Sequence, residues 1–289
     1  MPAPMHRSGR LTARLTVAAI LTATSLIGAS TAAAHPAKAK PGTPIEGRFD
    51  VGGYKLYLRC EGSGSPAIVY LHGAIDNGQG GASSASAVPL IVSEKHRICV
   101  YDRANLGSSD KVPGPIGGKQ LVTDLHRLLR KAGIKPPYVL LGASFGGLVA
   151  YAYAGTYPNE VKGMLLLDAS FPTELKLEPL WPEKDRLTHD YWKGRAEKID
   201  QLDVYEYANS VAPRQPAIPV TYLLATPETW TGVSAAYDAV VLATQAAYVH
   251  SFHPGILKKV ASPHWMENSV ADRIARELDL MLRKVAKRS

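Results

Sequence analysis

The sequence predicts an α/β fold in which helices flank a mostly parallel central sheet. Apolar strands and helical segments alternate between residues 67 and 168, and that order is typical of parallel sheets. The first of these strands, residues 67–71, is apolar throughout, as strands buried on both faces are. Because such sheets bind ligands at the carboxyl ends of their strands, functional side chains are expected there.

Local patterns predict the individual elements. Gly52-Gly53 separates two short strand-like segments and indicates a hairpin. Further strands are predicted at residues 67–71, 97–101, 139–141, 163–167 and 220–224, with a shorter one near 248–252. Helices are predicted around 121–129, over 148–157 and over 270–285, whereas residues 227–248 show a mixed pattern.

The first 44 residues are expected to lie outside this fold. Three arginines precede an uncharged run over residues 15–34, which ends in Ala32-Ala33-Ala34, a small-x-small cleavage signal. The pattern predicts a secretory signal peptide over residues 1–34 and a solvated linker over 35–44. The protein is therefore expected to be secreted, with no membrane anchor after cleavage.

The remaining residues, 45–289, have the length of one large α/β domain. The formal net charge of the whole chain is +8, and signal cleavage lowers it to +5 because three arginines and no acids are lost. This excess is spread along the chain, and no basic stretch with interleaved aromatic residues indicates nucleic acid. We expect a monomer that binds a small-molecule or polymeric substrate.

A segment after the sixth predicted strand breaks the regular alternation. Residues 171–217 are rich in proline, charge and aromatic side chains and lack the periodicity of a strand or helix. The simplest interpretation is an insertion that forms a lid or cap over the site.

The strongest motif lies at the end of the fifth predicted strand. An apolar strand runs through Gly142-x-Ser144-x-Gly146 into a helix of small and apolar residues. At such a sharp turn the side chains two residues either side of the serine would collide, and glycine avoids the clash. The pattern predicts that Ser144 is a nucleophile on a sharp strand-to-helix turn, called here the elbow, between the elbow strand and the elbow helix. An incidental serine in a turn is the alternative.

Four features, in chain order, resemble the α/β-hydrolase fold superfamily. They are the strand-end His72-Gly73, the turn at residues 101–110, the elbow at Ser144 and the late His264. The resemblance extends over nearly all of the chain after the predicted signal peptide and is weakest in the insertion and over 227–248. It implies an esterase-like or lipase-like serine hydrolase that uses neither a cofactor nor a metal.

A serine hydroxyl needs an adjacent base, and that base needs an orienting carboxylate. The resemblance assigns the base to His264, in the loop before the closing helix. It leaves two candidates for the acid, Asp168 and Glu228, which follow the sixth and seventh strands. Asp168 is favoured because its strand should lie beside the elbow strand, whereas a Pro-Glu-Thr-Trp sequence gives no tight turn to aim Glu228.

The resemblance also places the groups around the reaction. The oxyanion hole is expected to consist of the backbone N–H groups of Ala74 and Phe145. Asp102 and Arg103 are expected to buttress the end of the sheet and to take no part in the chemistry. Candidates for the substrate pocket are His72, Trp230, Trp265 and Met266. For His72 a structural role, and for the aromatic residues simple packing, are the alternatives.

These features favour a hydrolase that cleaves a carboxylic ester through an acyl-enzyme. Amide or peptide cleavage by the same triad, as in the family's aminopeptidases, and cofactor-free perhydrolysis are alternatives. A non-catalytic binding protein on the same fold is an alternative from a different class. A serine at the elbow argues against epoxide or haloalkane chemistry, in which the family carries aspartate there.

The two cysteines, Cys60 and Cys99, have no metal-ligand spacing. They lie on the strands before and after the His72 strand, and in the superfamily's strand order those two strands are neighbours. The resemblance therefore implies a disulfide between them in an exported protein, with two reduced core cysteines as the alternative.

Overall fold

A computed structural model of the chain describes residues 42–75, 79–82, 87–180, 193–226 and 235–288. The predicted signal peptide, most of the predicted linker, Glu228 and Trp230 lie outside these residues. Across the described ranges, no helix combines the length and the apolar character that crossing a bilayer requires.

The described residues form an eight-stranded sheet. Its strands are β1 (Ile45–Asp50), β2 (Lys55–Glu61), β3 (Ala67–Leu71), β4 (Ile98–Tyr101), β5 (Tyr138–Ala143), β6 (Val161–Leu167), β7 (Val220–Thr226) and β8 (Gly255–Ala261). The spatial order is β1-β2-β4-β3-β5-β6-β7-β8. Only β2 runs antiparallel to its neighbours, β1 and β4, and all other pairs are parallel. The predicted fold class, a mostly parallel sheet flanked by helices, is confirmed.

Helices connect the strands and cover both faces of the sheet. Those described are α1 (Ala87–Ser93), α2 (Gly118–Lys131), α3 (Phe145–Thr156), α4 (Gln201–Ser210), α5 (Ala235–His250), α6 (Met266–Ser269) and α7 (Ala271–Ala286). Two 3-10 helices, Pro172–Leu180 and Ala212–Arg214, lie with α4 between β6 and β7, within the predicted insertion at residues 171–217.

Two hydrophobic clusters, one on each face, explain why the central strands are apolar throughout. On β3, Val69 and Leu71 pack into the cluster that contains α2 and α3. Ile68 and Tyr70 point the other way and pack with α1 and α7. Because side chains alternate between the two faces of a strand, a strand buried on both faces must be apolar at every position.

The two cysteines face each other at the antiparallel end of the sheet. Cys60 on β2 lies opposite Cys99 on β4 in the strand register, and a disulfide joins them. Both side chains are fully buried. The bond therefore links two strands that are separated along the chain by β3 and α1.

The prediction of a strand near residues 248–252 is wrong. Tyr248 lies in the last turn of α5, and the eighth strand begins later, at Gly255. This strand is at the edge of the sheet and most of its residues are only partly buried. It carries Lys258 and Lys259, and such charged edge strands lack the continuous apolar run of a central strand.

Candidate active site

Ser144 occupies the sharp turn between β5 and α3. Its φ is 49°, in the left-handed region that residues other than glycine rarely adopt. A side chain at position 146 would place its Cβ 2.0 Å from the carbonyl oxygen of Leu71, and one at position 142 would lie 2.7 Å from the Cα of Gly147. Both distances are far below van der Waals contact, so this turn requires glycine at positions 142 and 146.

His264 lies in the loop between β8 and α6, and its ring bridges two other residues. Its Nε2 lies 3.1 Å from Ser144 Oγ, and its Nδ1 lies 2.6 Å from Asp168 Oδ2. A carboxylate only accepts hydrogen bonds, so Nδ1 carries the proton and Nε2 is left to accept one from the serine hydroxyl. The structure thus brings together the three residues that the sequence analysis favoured for the triad.

Asp168 follows β6 directly, and its side chain is buried. Its Oδ1 accepts a hydrogen bond of 3.3 Å from the amide of Ala225, so both carboxylate oxygens have partners. Its own amide donates to the carbonyl of Leu223 on the neighbouring strand, at 2.8 Å. The carboxylate is held from two sides while it accepts from His264.

The turns that carry the serine and the aspartate are bonded to each other. The amide of Ser144 donates to the carbonyl of Leu167, and the amide of Ser170 donates to the carbonyl of Ser144. These bonds are 2.9 and 3.0 Å long. The relative position of the two side chains therefore rests on the backbone of adjacent strands, which is a rigid support.

The residues predicted to supply the oxyanion hole lie beside Ser144. Phe145 is the first residue of α3, where backbone N–H groups have no partner within the helix and favour negative charge. Ala74 follows β3, in a loop that passes against the nucleophile: a Cβ added at Gly73 would lie 3.3 Å from the Cβ of Ser144. Both residues thus lie close to the nucleophile candidate, Ser144, in the chain or in space.

His72, which the sequence analysis placed in the pocket, is enclosed in the structure, with 2% of its surface exposed. Its Nδ1 donates to the carbonyl of Gly73 at 2.8 Å. Burial, followed by the charge of Arg103, holds the pKa of His72 well below its ordinary value, so the ring is neutral. This placement corresponds to the structural alternative.

The other pocket candidates fall in different surroundings. Trp265 is about half exposed, and its ring meets that of His264 at 5.2 Å between centroids. It also lies near the loop that follows β3, since a Cβ at Gly73 would be 3.6 Å from its ring. Met266 is fully buried in the core cluster beneath α7, so its assignment to the pocket is corrected to the core. Trp230 is outside the described residues.

The turn after β4 holds the charged residues that were expected to buttress the sheet. Asp102 accepts hydrogen bonds from the amides of Ala82 and Ser108, at 2.7 and 2.9 Å. Arg103 forms a buried ion pair of 2.6 Å with Glu197, which lies between β6 and β7. The sequence analysis did not identify Glu197, because a single glutamate in a segment without periodicity gives no signal of its burial.

Comparisons with known proteins agree with this architecture. A family model described as alpha/beta hydrolase fold matches residues 66–204. The uncharacterized protein YbdG of Bacillus subtilis is 30% identical over 128 residues, which are 43% of this chain and 38% of that protein. Proline iminopeptidase PfmaB of Pestalotiopsis fici is 29% identical over 119 residues, 40% of this chain and 41% of that protein. The chain thus matches less than half the length of these curated relatives.

Solved structures match over a larger share of the chain. Haloalkane dehalogenase DbeA from Bradyrhizobium elkani superimposes with a TM-score of 0.61 at 14% identity, covering 86% of this chain and 100% of that one. At this identity the likeness concerns the fold. The strand order, the matched family model and this superposition lead to one conclusion: the chain has the α/β-hydrolase fold.

Proposed function

We propose that this protein is a secreted serine hydrolase that cleaves a carboxylic ester through a covalent acyl-enzyme. The observation that carries the proposal is the continuous hydrogen-bonded chain from Ser144 Oγ through the ring of His264 to Asp168 Oδ2. Nucleophile, base and orienting carboxylate in this order are the parts that acyl transfer by a serine needs.

In the first step, His264 Nε2 accepts the hydroxyl proton of Ser144 while Oγ attacks the ester carbonyl carbon. The tetrahedral intermediate collapses, the bond to the alkoxy oxygen breaks, and the imidazolium gives its proton to the leaving alcohol. In the second step, water transfers a proton to the same nitrogen and attacks the acyl carbon. The carboxylic acid leaves and the proton returns to Ser144.

Asp168 supports both steps without changing its own protonation. By accepting from Nδ1 it fixes the tautomer in which Nε2 is free to act as a base, and its charge stabilises the imidazolium. The amides of Phe145 and Ala74 would donate to the oxyanion, and such pre-oriented donors cost no reorganisation during the reaction.

Amide cleavage is the alternative with a specific observation in its favour, because one relative of this chain is named a proline iminopeptidase. The same two steps then apply, with an amine in place of the alcohol as the leaving group. Haloalkane chemistry has less support despite the superposition with DbeA, because the elbow carries Ser144 and not a carboxylate.

Secretion is part of the proposal and rests on two features. One is the arginine-containing start followed by the uncharged run over residues 15–34. The other is the Cys60–Cys99 disulfide, since such bonds persist in oxidising compartments and are rare in the cytosol.

Labelling with a fluorophosphonate tests the proposal. We expect one adduct on Ser144 by mass spectrometry, together with hydrolysis of p-nitrophenyl esters. Ser144→Ala should lose the adduct and at least about a hundredfold of the activity. Ser210→Ala, which removes a hydroxyl in α4 that is bonded only locally, serves as the matched control. Wild-type protein that forms no adduct would overturn the proposal in favour of a binding protein.

A panel of substrates separates esters from amides. p-Nitrophenyl esters of increasing chain length are compared with aminoacyl anilides at equal concentration. Because an activated aryl ester is intrinsically more reactive than an anilide, the anilides decide: hydrolysis of the esters without measurable cleavage of the anilides supports the proposed activity, and measurable cleavage of the anilides supports the iminopeptidase-like alternative.

A further inference from the structure

Arg103 makes three directed hydrogen bonds inside the protein. Its Nε donates to Glu197 Oε1 at 2.6 Å. Its two terminal nitrogens donate to the carbonyl oxygens of His72 and Gly73, at 2.8 and 2.7 Å. Only 2% of its side chain is exposed. The flat guanidinium therefore holds two consecutive peptide groups of the loop that follows β3.

The bond to Gly73 determines the direction of the next N–H group. The carbonyl of Gly73 and the N–H of Ala74 belong to one peptide unit, which is trans. In a planar trans peptide these two groups point in opposite directions. Together with His72 Nδ1, which donates to the same carbonyl, Arg103 orients the N–H of Ala74 away from itself. This N–H is one of the two proposed oxyanion donors.

The same guanidinium contacts the residue that carries the other donor. Its central carbon lies 5.4 Å from the ring centroid of Phe145, within the range of a cation–π interaction. Phe145 begins α3, and its amide follows the nucleophile. Arg103 thus touches both sides of the proposed oxyanion hole although it is not directed at the reacting atoms.

Glu197 completes this arrangement from the insertion. Its side chain is 1% exposed, and its second oxygen, Oε2, accepts from the amide of Ile75 at 3.0 Å. The pair therefore binds three successive peptide units of the loop, through the carbonyls of His72 and Gly73 and the amide of Ile75. A buried charge is tolerated when it is paired and hydrogen-bonded, and here each member supplies that condition for the other.

We propose that Arg103, held by Glu197, is a positioning residue that aims the Ala74 amide at the oxyanion. The inference rests on the proposed serine hydrolase function and extends it. It also links the insertion to catalysis, because Glu197 belongs to the segment between β6 and β7. Loss of the Arg103–Glu197 pair would leave Ser144, His264 and Asp168 in place and disturb the Ala74 donor.

Arg97 provides a matched control elsewhere on the sheet. It is also largely buried, and it also donates to two backbone carbonyls, those of Thr43 and Gly62, at 2.8 and 2.9 Å. It precedes β4, whereas Arg103 follows it, so the two lie at opposite ends of that strand. Both arginines can therefore stabilise the fold as buried donors to backbone, but of the two only Arg103 binds the peptide unit that contains the Ala74 amide.

The test compares Arg103→Lys with Arg97→Lys. Lysine keeps the charge opposite Glu197 but lacks the planar fork that reaches two carbonyls. The double variant Arg103→Met/Glu197→Gln removes both charges and so avoids an unpaired buried carboxylate if Arg103→Lys fails to fold. For each protein, kcat, KM and the inhibition constant of a trifluoromethyl ketone, which forms a tetrahedral oxyanion adduct with the serine, are measured on the same acyl chain.

We expect kcat to fall about a hundredfold in the Arg103 variants, as for the loss of one oxyanion donor. KM should change less than about threefold, while binding of the ketone weakens in parallel with kcat. Arg97→Lys should keep kcat and ketone binding even if its melting temperature falls. Folded Arg103 variants with wild-type kcat, or with equal losses in KM and ketone binding, would overturn the inference. Wild-type protein with no adduct on Ser144 would instead overturn the proposed function, and this inference with it.

Discussion

Ser144 and Asp168 both have left-handed backbone conformations, with φ angles of 49° and 40°, at the ends of the adjacent parallel strands β5 and β6. Such conformations are costly for residues other than glycine and are retained where the surrounding structure requires them. The amide of Ser144 bonds to the carbonyl that precedes Asp168. Two strained turns, fixed to each other, therefore direct the serine and the carboxylate toward one imidazole.

The first prediction concerns the acid. Asp168→Asn should reduce kcat by about 10⁴-fold, because an amide can donate to Nδ1 and so favours the wrong tautomer of His264. Glu228→Gln should change kcat less than about threefold. Both are measured on one activated ester, with folding checked by circular dichroism. A severe loss in Glu228→Gln alone would transfer the role to Glu228.

The preference for Asp168 illustrates what a sequence can predict about a site. A strand that follows the elbow helix by a short crossover is expected beside the elbow strand, and the pairing of β5 with β6 confirms this. The order of the motifs along the chain also indicates His264 as the base. The distance from Asp168 or Glu228 to the imidazole is not predictable in this way, because it depends on loop backbone conformations that local pattern does not encode.

The second prediction concerns the elbow glycine at position 146. Gly146→Ala should lower the free energy of unfolding by about 3 kcal/mol or more, since its methyl group would overlap the carbonyl of Leu71. Gly47→Ala on β1 is the control, because its Cβ would meet only the Phe49 ring at 3.7 Å. Urea unfolding followed by tryptophan fluorescence measures both. Equal stability of the two variants would contradict the steric argument.

The third prediction concerns the disulfide. The bond closes a loop with a sequence separation of 39 residues, and constraining a loop of this length in the unfolded chain stabilises a protein by about 3 to 4 kcal/mol. The variant Cys60→Ala/Cys99→Ala should lose a comparable free energy of unfolding. Reductant should destabilise the wild type and leave the variant unchanged. Two titratable thiols in the denatured, unreduced protein would show that the bond does not form.

The fourth prediction concerns pH and Asp124 on α2. Burial raises the pKa of Asp124 to about 6 from its ordinary value of 3.8, although the hydroxyl of Tyr54 donates to it. Between these two values the folded protein holds a proton that the unfolded chain has lost. The free energy of unfolding should therefore fall as the pH rises from about 4 to about 6.

Melting temperatures across this range test the assignment. Asp124→Asn should flatten the decline, since an amide does not titrate. Asp50→Asn is the comparison. The amides of Gly52 and Gly53 lower the pKa of Asp50, so this substitution should change the pH dependence of stability in the opposite direction. An unchanged profile in Asp124→Asn would mean that another group titrates in that window.

Two parts of the molecule were beyond prediction from local pattern, for different reasons. The edge strand β8 contains Lys258, which pairs with the buried Glu277 on α7, so its charges find partners only in the folded structure. Glu197 lies 94 positions after Arg103, and nothing near either residue in the sequence indicates the other. Pairs of this kind arise from tertiary packing and not from periodicity.

The Arg103–Glu197 pair also has a consequence for building chimaeras. An enzyme that kept this sheet but received the insertion of a different hydrolase would leave the Arg103 guanidinium buried without its carboxylate, at a cost of about 3 to 5 kcal/mol. The turn that carries Arg103 and the segment that carries Glu197 must therefore be transferred together.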